Sequence, residues 1–370
     1  MKVLKVSCEG LGNGGVQNVI MNICRNIPDA KFDIILFTSE RRHYDNEFEM
    51  LGGKIFRINK YEGSSRFIKK IDSYYKFIRI FTNTYKIVKK NGPYDVIHCH
   101  NELESGICNL AAYFAGIKIR IAHAHTADDK YLKSNVIKYI LKKGLQSLMN
   151  LTSNIKISCT KKALVNLFGK RYYEDDNSFI IPNPIDTKWF KKTNDKSIRE
   201  KGINIIHIGR YCQNKNQMLL VNILPLIANS YPNIRLQLIG SGDEHKEQLQ
   251  NKAESLGVTS RVEFLPADSN VKEVLENASI FVFPSITEGF GIAALEAQAM
   301  EVPCLVSDTV PKEVDCGLCE FLPLSESREV WAQEVVNILR NNYRMKLNWD
   351  KLHSLDIECY TQKIKSIYGG

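Results

Sequence analysis

Glu288 and Glu296 bracket the turn Gly289-Phe290-Gly291 in the stretch EGFGIAALE, with the apolar run IFVFPS before it and the helix-patterned IAALEAQAM after it. Gly289 and Gly291 let the backbone approach a ligand closely. A helix starting here turns unpaired N–H groups towards that ligand, an arrangement suited to a diphosphate. Glu296 falls among Ile292, Ala293, Ala294, Leu295, Ala297 and Ala299, so its carboxylate has little polar company. A carboxylate in such a place needs hydrogen-bond donors, and the two hydroxyls of a ribose would supply them. Glu288, in the turn, is placed to receive hydroxyls of a sugar.

Cations of matching reach come from IHIGRYCQNKNQ, where Arg210 follows a strand-like run and a glycine and Lys215 lies further along the same loop. Two cations on one loop can clamp a pyrophosphate and stabilise charge on a departing diphosphate. Near the start, Gly10, Gly12 and Gly15 match G-x-G-x-x-G between a strand-like run and a helical pattern, and Glu40 stands where a ribose-binding acid would. That pattern supports a second reading, an NAD(P)-dependent oxidoreductase built on the GLGNGG loop. The structural alternative is a tight turn whose glycines take positive φ.

The elements that must hold these residues alternate along the 370 residues, a length that suggests two domains. KVLKVSC, FDIILFT, YDVIHCH and IKIRIAHAH read as strands in the first half, and INIIHIGR, IRLQLIG, RVEFLP, IFVFPS and PCLVSD in the second, with helical patterns between them. Strands apolar on both faces imply parallel, doubly wound α/β sheets. IPNPID lies in a turn-rich linker region, and IECYTQKIKSIY reads as a closing helix. The expected division is residues 1–184 with the closing segment 352–370, and residues 185–351. Asn91-Gly92-Pro93 ends a basic amphipathic helix over 66–90, with Phe67, Ile71, Tyr74, Tyr75, Ile78 and Phe81 as its apolar stripe.

Residues 1–190 carry 30 Lys+Arg against 18 Asp+Glu, whereas the remainder is slightly acidic. A basic first half calls for an anionic partner, and a phosphorylated lipid or an anionic membrane surface answers that need. No nucleic-acid motif is present, so nucleic acid is not expected as a partner. There is no apolar run of membrane-spanning length and no secretory leader, which points to the cytoplasm, with peripheral attachment at the inner face of the plasma membrane. The ten cysteines include one C-x-x-C, Cys316-Gly-Leu-Cys319, without a second pair or neighbouring histidines to complete a zinc site. Asp128-Asp129 and Asp175-Asp176 are the acidic pairs a metal would use, and both read as surface charge.

Together, GLGNGGVQNVI, DVIHCHN, RIAHAHT, IPNPID, IHIGRYCQNKNQ, LIGSGDEHKEQL and EGFGIAALEA resemble glycosyltransferase family 4, in particular a bacterial branch that builds capsular and exopolysaccharides. The resemblance implies a GT-B fold, two Rossmann-like domains facing a central cleft. It implies retaining transfer of a sugar from a nucleotide diphosphate donor, UDP-sugar by family frequency, to a glycan or lipid-linked acceptor, with no metal or other cofactor. It also implies roles: backbone amides of Gly14 and Gly15 on the donor phosphates, Arg210 and Lys215 on the diphosphate, Glu288 on the sugar and Glu296 on the ribose. His125, at a strand end before a polar turn, matches the family's cleft histidine better than His123. His98 and His100, read as alternating across their strand, are left out of the site. Relatives carry glycines after PCLVSD, where this chain has Thr309-Val310-Pro311, while Glu313 matches.

Overall fold

The computed structural model describes residues 1–58, 66–126, 136–192, 202–341 and 345–369, with the side chains of 66–74 and 136–138 outside that description. The chain forms two units, Met1–Asn183 with Glu358–Gly370, and Pro184–Ile357. The return to the first unit thus comes at Glu358 rather than at 352, and the short helix Trp349–Ser354 stays with the second unit.

The first unit holds seven strands: β1 Lys2–Ser7, β2 Lys31–Leu36, β3 Ile55–Arg57, β4 Val96–Cys99, β5 Ile119–Ala124, β6 Ile155–Ser158 and β7 Ser178–Ile180. They lie parallel in the order β3-β2-β1-β4-β5-β6-β7. The order reverses between β1 and β4, and loops at that point in an open α/β sheet are where ligands bind. Val3, Leu4 and Val6 on β1 and Val96, Ile97 and Cys99 on β4 are fully buried, as continuous apolar strands covered on both faces must be.

The helix expected over 66–90 runs Arg66–Asn91. Its buried face, however, carries Ile80, Thr84 and Val88, and both Tyr75 and Ile78 are 60% exposed. The stripe therefore does not all face the core: Phe81 packs against it, and Tyr75 and Ile78 point to solvent. Phe67, Ile71 and Tyr74 lie outside the described side chains. Among the described residues no helix is long and apolar enough to cross a membrane.

The second unit holds β8 Ile203–Ile208, β9 Ile234–Ile239, β10 Val262–Leu265, β11 Ile280–Phe283, β12 Cys304–Ser307 and β13 Cys319–Leu322. All are parallel, in the order β10-β9-β8-β11-β12-β13, with the reversal between β8 and β11. The helices Gln217–Ala228 and Arg328–Asn341 close one face, burying Leu220, Leu224, Trp331 and Val335 against the strands. The final helix Ile357–Ile367 carries the chain back to the first unit.

Candidate active site

In the second unit the residues singled out from the sequence cluster beyond the C-terminal ends of β8 and β11, at the point where strand order reverses. Lys215 closes the short turn Gln213–Lys215, and its Nζ meets Glu288 Oε1 at 2.5 Å. The same ammonium lies 4.8 Å from the centre of the Phe283 ring. Two bonds lace the turns together: Ile286 N–H donates to Asn214 O at 2.8 Å, and Asn214 Nδ2 donates to Thr287 O at 2.8 Å. Gln217 Nε2 donates to Arg210 O at 2.8 Å and fixes the backbone there, while the Arg210 side chain is exposed. Arg210 makes no side-chain hydrogen bond or ion pair among the described residues, so its guanidinium is available to an anion.

Gly291 has φ +97, a conformation that side-chain-bearing residues rarely adopt, and it caps the helix Ile292–Ala299. A Cβ there would also stand 3.3 Å from Val310 Cγ1. Phe290 is buried beneath the turn and anchors it. One turn into the helix, Glu296 is half-buried and has no hydrogen-bond or ion-pair partner among the described residues. Burial pushes its carboxyl up to about 8, so near neutrality it is largely protonated until a ligand brings donors. The loop that differs from relatives is tied in by its own side chain, since Thr309 Oγ1 and Ser307 Oγ both donate to Ser285 O at 2.6 Å. Glu313 sits in the short turn Lys312–Val314.

Sequence reasoning passed over His207. It is buried at the end of β8, its Nδ1 lies 2.9 Å from Val282 O, and burial lowers it to about 4. It stands under the site, where a Cβ on Gly209 would meet both His207 Nε2 and Lys215 Cδ within 3.4 Å.

In the first unit, Gly14 precedes the helix Gly15–Asn26, which starts at the end of β1. The glycine loop departs from expectation: none of Gly10, Gly12, Gly14 and Gly15 has a positive φ. Gly10 is needed for space instead, because a Cβ would stand 2.8 Å from Arg42 Cγ and 3.1 Å from Thr38 Cγ2. Glu40 is exposed and paired with Arg42.

His125 follows β5, and its partners overturn the treatment of its neighbours. His100 Nδ1 lies 2.9 Å from His125 Nε2, and His98 Nε2 lies 3.1 Å from His123 Nδ1. Residues two apart on a strand share a side, so His98 and His100 both enter one cluster with His123 and His125. Burial holds all four rings below the ordinary histidine range, His125 at about 3. Of the acidic pairs, Asp175 approaches Lys156 at 3.8 Å, and Asp128-Asp129 lies outside the described residues. Cys316 and Cys319 are free thiols.

Residues 13–189 match the family model Glycosyltransferase Family 4, and residues 190–316 match Glycosyl transferases group 1, leaving no gap between the two. The chain is a glycosyltransferase with a Glycosyltransferase Family 4 domain followed by a group 1 domain. Nothing found supports the nicotinamide reading of the GLGNGG loop, which lies at the start of the family match. This glycosyltransferase is 25% identical to a capsular polysaccharide biosynthesis glycosyltransferase, CapH, of Staphylococcus aureus over 97% of its own length and 96% of the relative's. It is 23% identical to the Escherichia coli UDP-Gal:alpha-D-GlcNAc-diphosphoundecaprenol alpha-1,3-galactosyltransferase, covering 96% and 93% of the two chains. Among solved structures, HepE of Anabaena in complex with UDP and glucose superposes with a TM-score of 0.80 at 15% identity, over the whole of both chains. That likeness gives the glycosyltransferase its fold, GT-B.

Proposed function

We propose that this glycosyltransferase moves a sugar from a UDP-sugar to a lipid-linked glycan with retention of anomeric configuration, in surface polysaccharide assembly, on the cytoplasmic side of an anionic membrane and without a metal. The observation that carries the reading is the pairing of Lys215 with Glu288 beside the turn Gly289–Gly291, with Glu296, which has no partner among the described residues, on the helix that starts behind it. Relatives supply the chemistry: one is named for a capsular polysaccharide, one for a UDP-Gal donor and a diphosphoundecaprenol-linked acceptor, and a structural neighbour binds UDP and glucose.

In this reading Arg210, Lys215 and the first-turn amides after Gly291 hold the diphosphate, assisted by the amides of Gly14 and Gly15. Glu288 receives sugar hydroxyls, and Glu296, once ionised, accepts both hydroxyls of the ribose. The bond from the anomeric carbon to the phosphate oxygen breaks and one to the acceptor oxygen forms on the same face. The proton of the acceptor hydroxyl passes to the departing phosphate oxygen, and the nearby cations lower the cost of the charge that develops there. His125 touches the sugar. Nothing in this scheme requires a metal, because fixed cations and a helix end do its electrostatic work.

A panel of nucleotide sugars incubated with the protein and a polyprenyl-diphosphate-linked sugar tests the proposal. The expected result is release of UDP with a glycosylated lipid whose new linkage keeps the donor's anomeric form. Turnover only with a donor other than a UDP-sugar, or an inverted linkage, overturns it.

A further inference from the structure

Lys5 is a lysine in the middle of a sheet. It lies on β1 with no solvent exposure, and its Nζ reaches Tyr368 Oη at 2.7 Å, His98 Nδ1 at 3.0 Å and His100 Nε2 at 3.4 Å. Burial lowers Lys5 to about 7, so at pH 6 it is mainly an ammonium, which has three N–H donors and no acceptor, and here three acceptors surround it. His98, His100 and His123 bring ring nitrogens within 4.8 Å of one another, a spacing open to a metal ion, but the lysine's own charge stands against two of those rings.

The donor count propagates. A neutral imidazole carries one N–H and one lone pair, so a nitrogen that accepts from Lys5 forces the proton onto the other nitrogen. His98 accepts at Nδ1, from Lys5 and from the Tyr368 hydroxyl at 2.6 Å, and therefore carries its proton on Nε2. It donates that proton to His123 Nδ1, which leaves His123 with its proton on Nε2. His100 accepts at Nε2, carries its proton on Nδ1 and donates it to His125 Nε2. His125 must then carry its proton on Nδ1. Among the described residues, the two atoms at the ends of these branches, His123 Nε2 and His125 Nδ1, are buried polar atoms without a hydrogen-bond partner.

We propose that Lys5 is a positioning residue that locks the tautomers of the histidine cluster, so that His125 presents an Nδ1–H donor, and not a basic lone pair, to an oxygen of the bound substrate. Taken with the reading of His125 as a site residue, on which it rests, this makes the histidine a hydrogen-bond donor in transfer and removes it as the acceptor of the attacking hydroxyl's proton. Lys5 acts only through His100, and Tyr368 steadies Lys5 from the far end of the chain.

Long-range proton–nitrogen spectra of the full protein labelled with nitrogen-15 at histidine report which ring nitrogen holds each proton. The wild-type protein at pH 6 is expected to show His125 and His100 protonated on Nδ1, and His98 and His123 on Nε2. Wild-type His125 protonated on Nε2 overturns the proposal, whatever the variants do. Lys5→Met, checked for native circular dichroism, is expected to lose the single-tautomer pattern at His100 and His125, and an unchanged pattern in a folded variant also overturns it. Should Lys5→Met not fold, the wild-type spectrum decides alone. A wild-type pattern as stated from a protein inactive with every nucleotide sugar would fail the transferase reading and leave the tautomer lock standing.

Discussion

Lys215 and Glu288 hold each other at 2.5 Å across two turns that Asn214 ties together, so the cation proposed to hold a diphosphate and the carboxylate proposed to hold a sugar are neutralised by one another in the free protein. A UDP-sugar can separate them, its phosphates taking the lysine and its hydroxyls the carboxylate. Lys215→Met should weaken UDP by about ten- to a hundredfold, the range of a charge-assisted hydrogen bond. Glu288→Gln should leave UDP affinity unchanged or improved, since it frees the lysine, and should weaken the UDP-sugar. Calorimetry with both ligands checks this, and equal losses for UDP and UDP-sugar in Glu288→Gln would count against the assignment.

Glu296 makes binding sensitive to pH. Its carboxyl is raised to about 8, so below that value the free site is mainly protonated, whereas ribose hydroxyls favour the ionised, accepting form. UDP binding should therefore release a proton, and affinity should rise with pH up to about 8. Unliganded stability runs the other way. A raised acid is favourable only while protonated, so this contribution is present below the ordinary value of 4.5 and is lost as pH climbs towards 8. Calorimetry in buffers of different ionisation enthalpy measures the proton, and Glu296→Gln should abolish the share that does not belong to UDP itself.

Activity should survive excess chelator. Arg210 and Lys215 supply positive charge at the loop proposed to hold the diphosphate, and among the described residues no cluster of acids that could hold a metal stands beside them. Loss of turnover with EDTA and its return with manganese would refute the metal-free reading.

Tyr75, Ile78, Tyr113 and Phe114 are exposed, and the helix Arg66–Asn91 that carries the first two is rich in lysine and arginine. The protein should sediment with anionic vesicles at low salt and be released as salt rises. Replacing Lys69, Lys70, Lys76 and Arg79 with glutamine should weaken this at about 1 kcal/mol per cation at the surface. Lys76 should contribute less, because it already meets Glu104 at 2.6 Å. Indifference of the wild-type protein to such vesicles at low salt would argue for a soluble acceptor.

What could be read without coordinates was whatever burial writes into a run of residues. β1, β2, β4, β5, β8 and β11 are mostly buried and spell mainly apolar stretches, broken by Lys5 on β1 and Asp33 on β2, while β9 is apolar except at Arg235 and Gln237. β3, β6, β7 and β13 are three or four residues long and went unread, because each has partly exposed positions, whereas β4 and β11, equally short, are buried at every residue. In the site, EGFGIAALE announced itself through glycines and an out-of-place carboxylate. The histidine cluster did not, for two reasons. His98 and His100 were assigned opposite sides although a strand's period of two puts them on the same one. The residue that completes the cluster, Tyr368, lies 270 positions beyond His98, a distance no local pattern spans.

The bond from Lys5 to Tyr368 also sets an order in time. During synthesis the first strand emerges hundreds of residues before its partner. The second unit, continuous from Pro184 to Ile357, can be complete on the ribosome while the first still waits with a charged amine in the middle of its sheet. The half of the protein made first is therefore the half finished last, since Lys5 gains its Tyr368 bond only once residue 368 is translated.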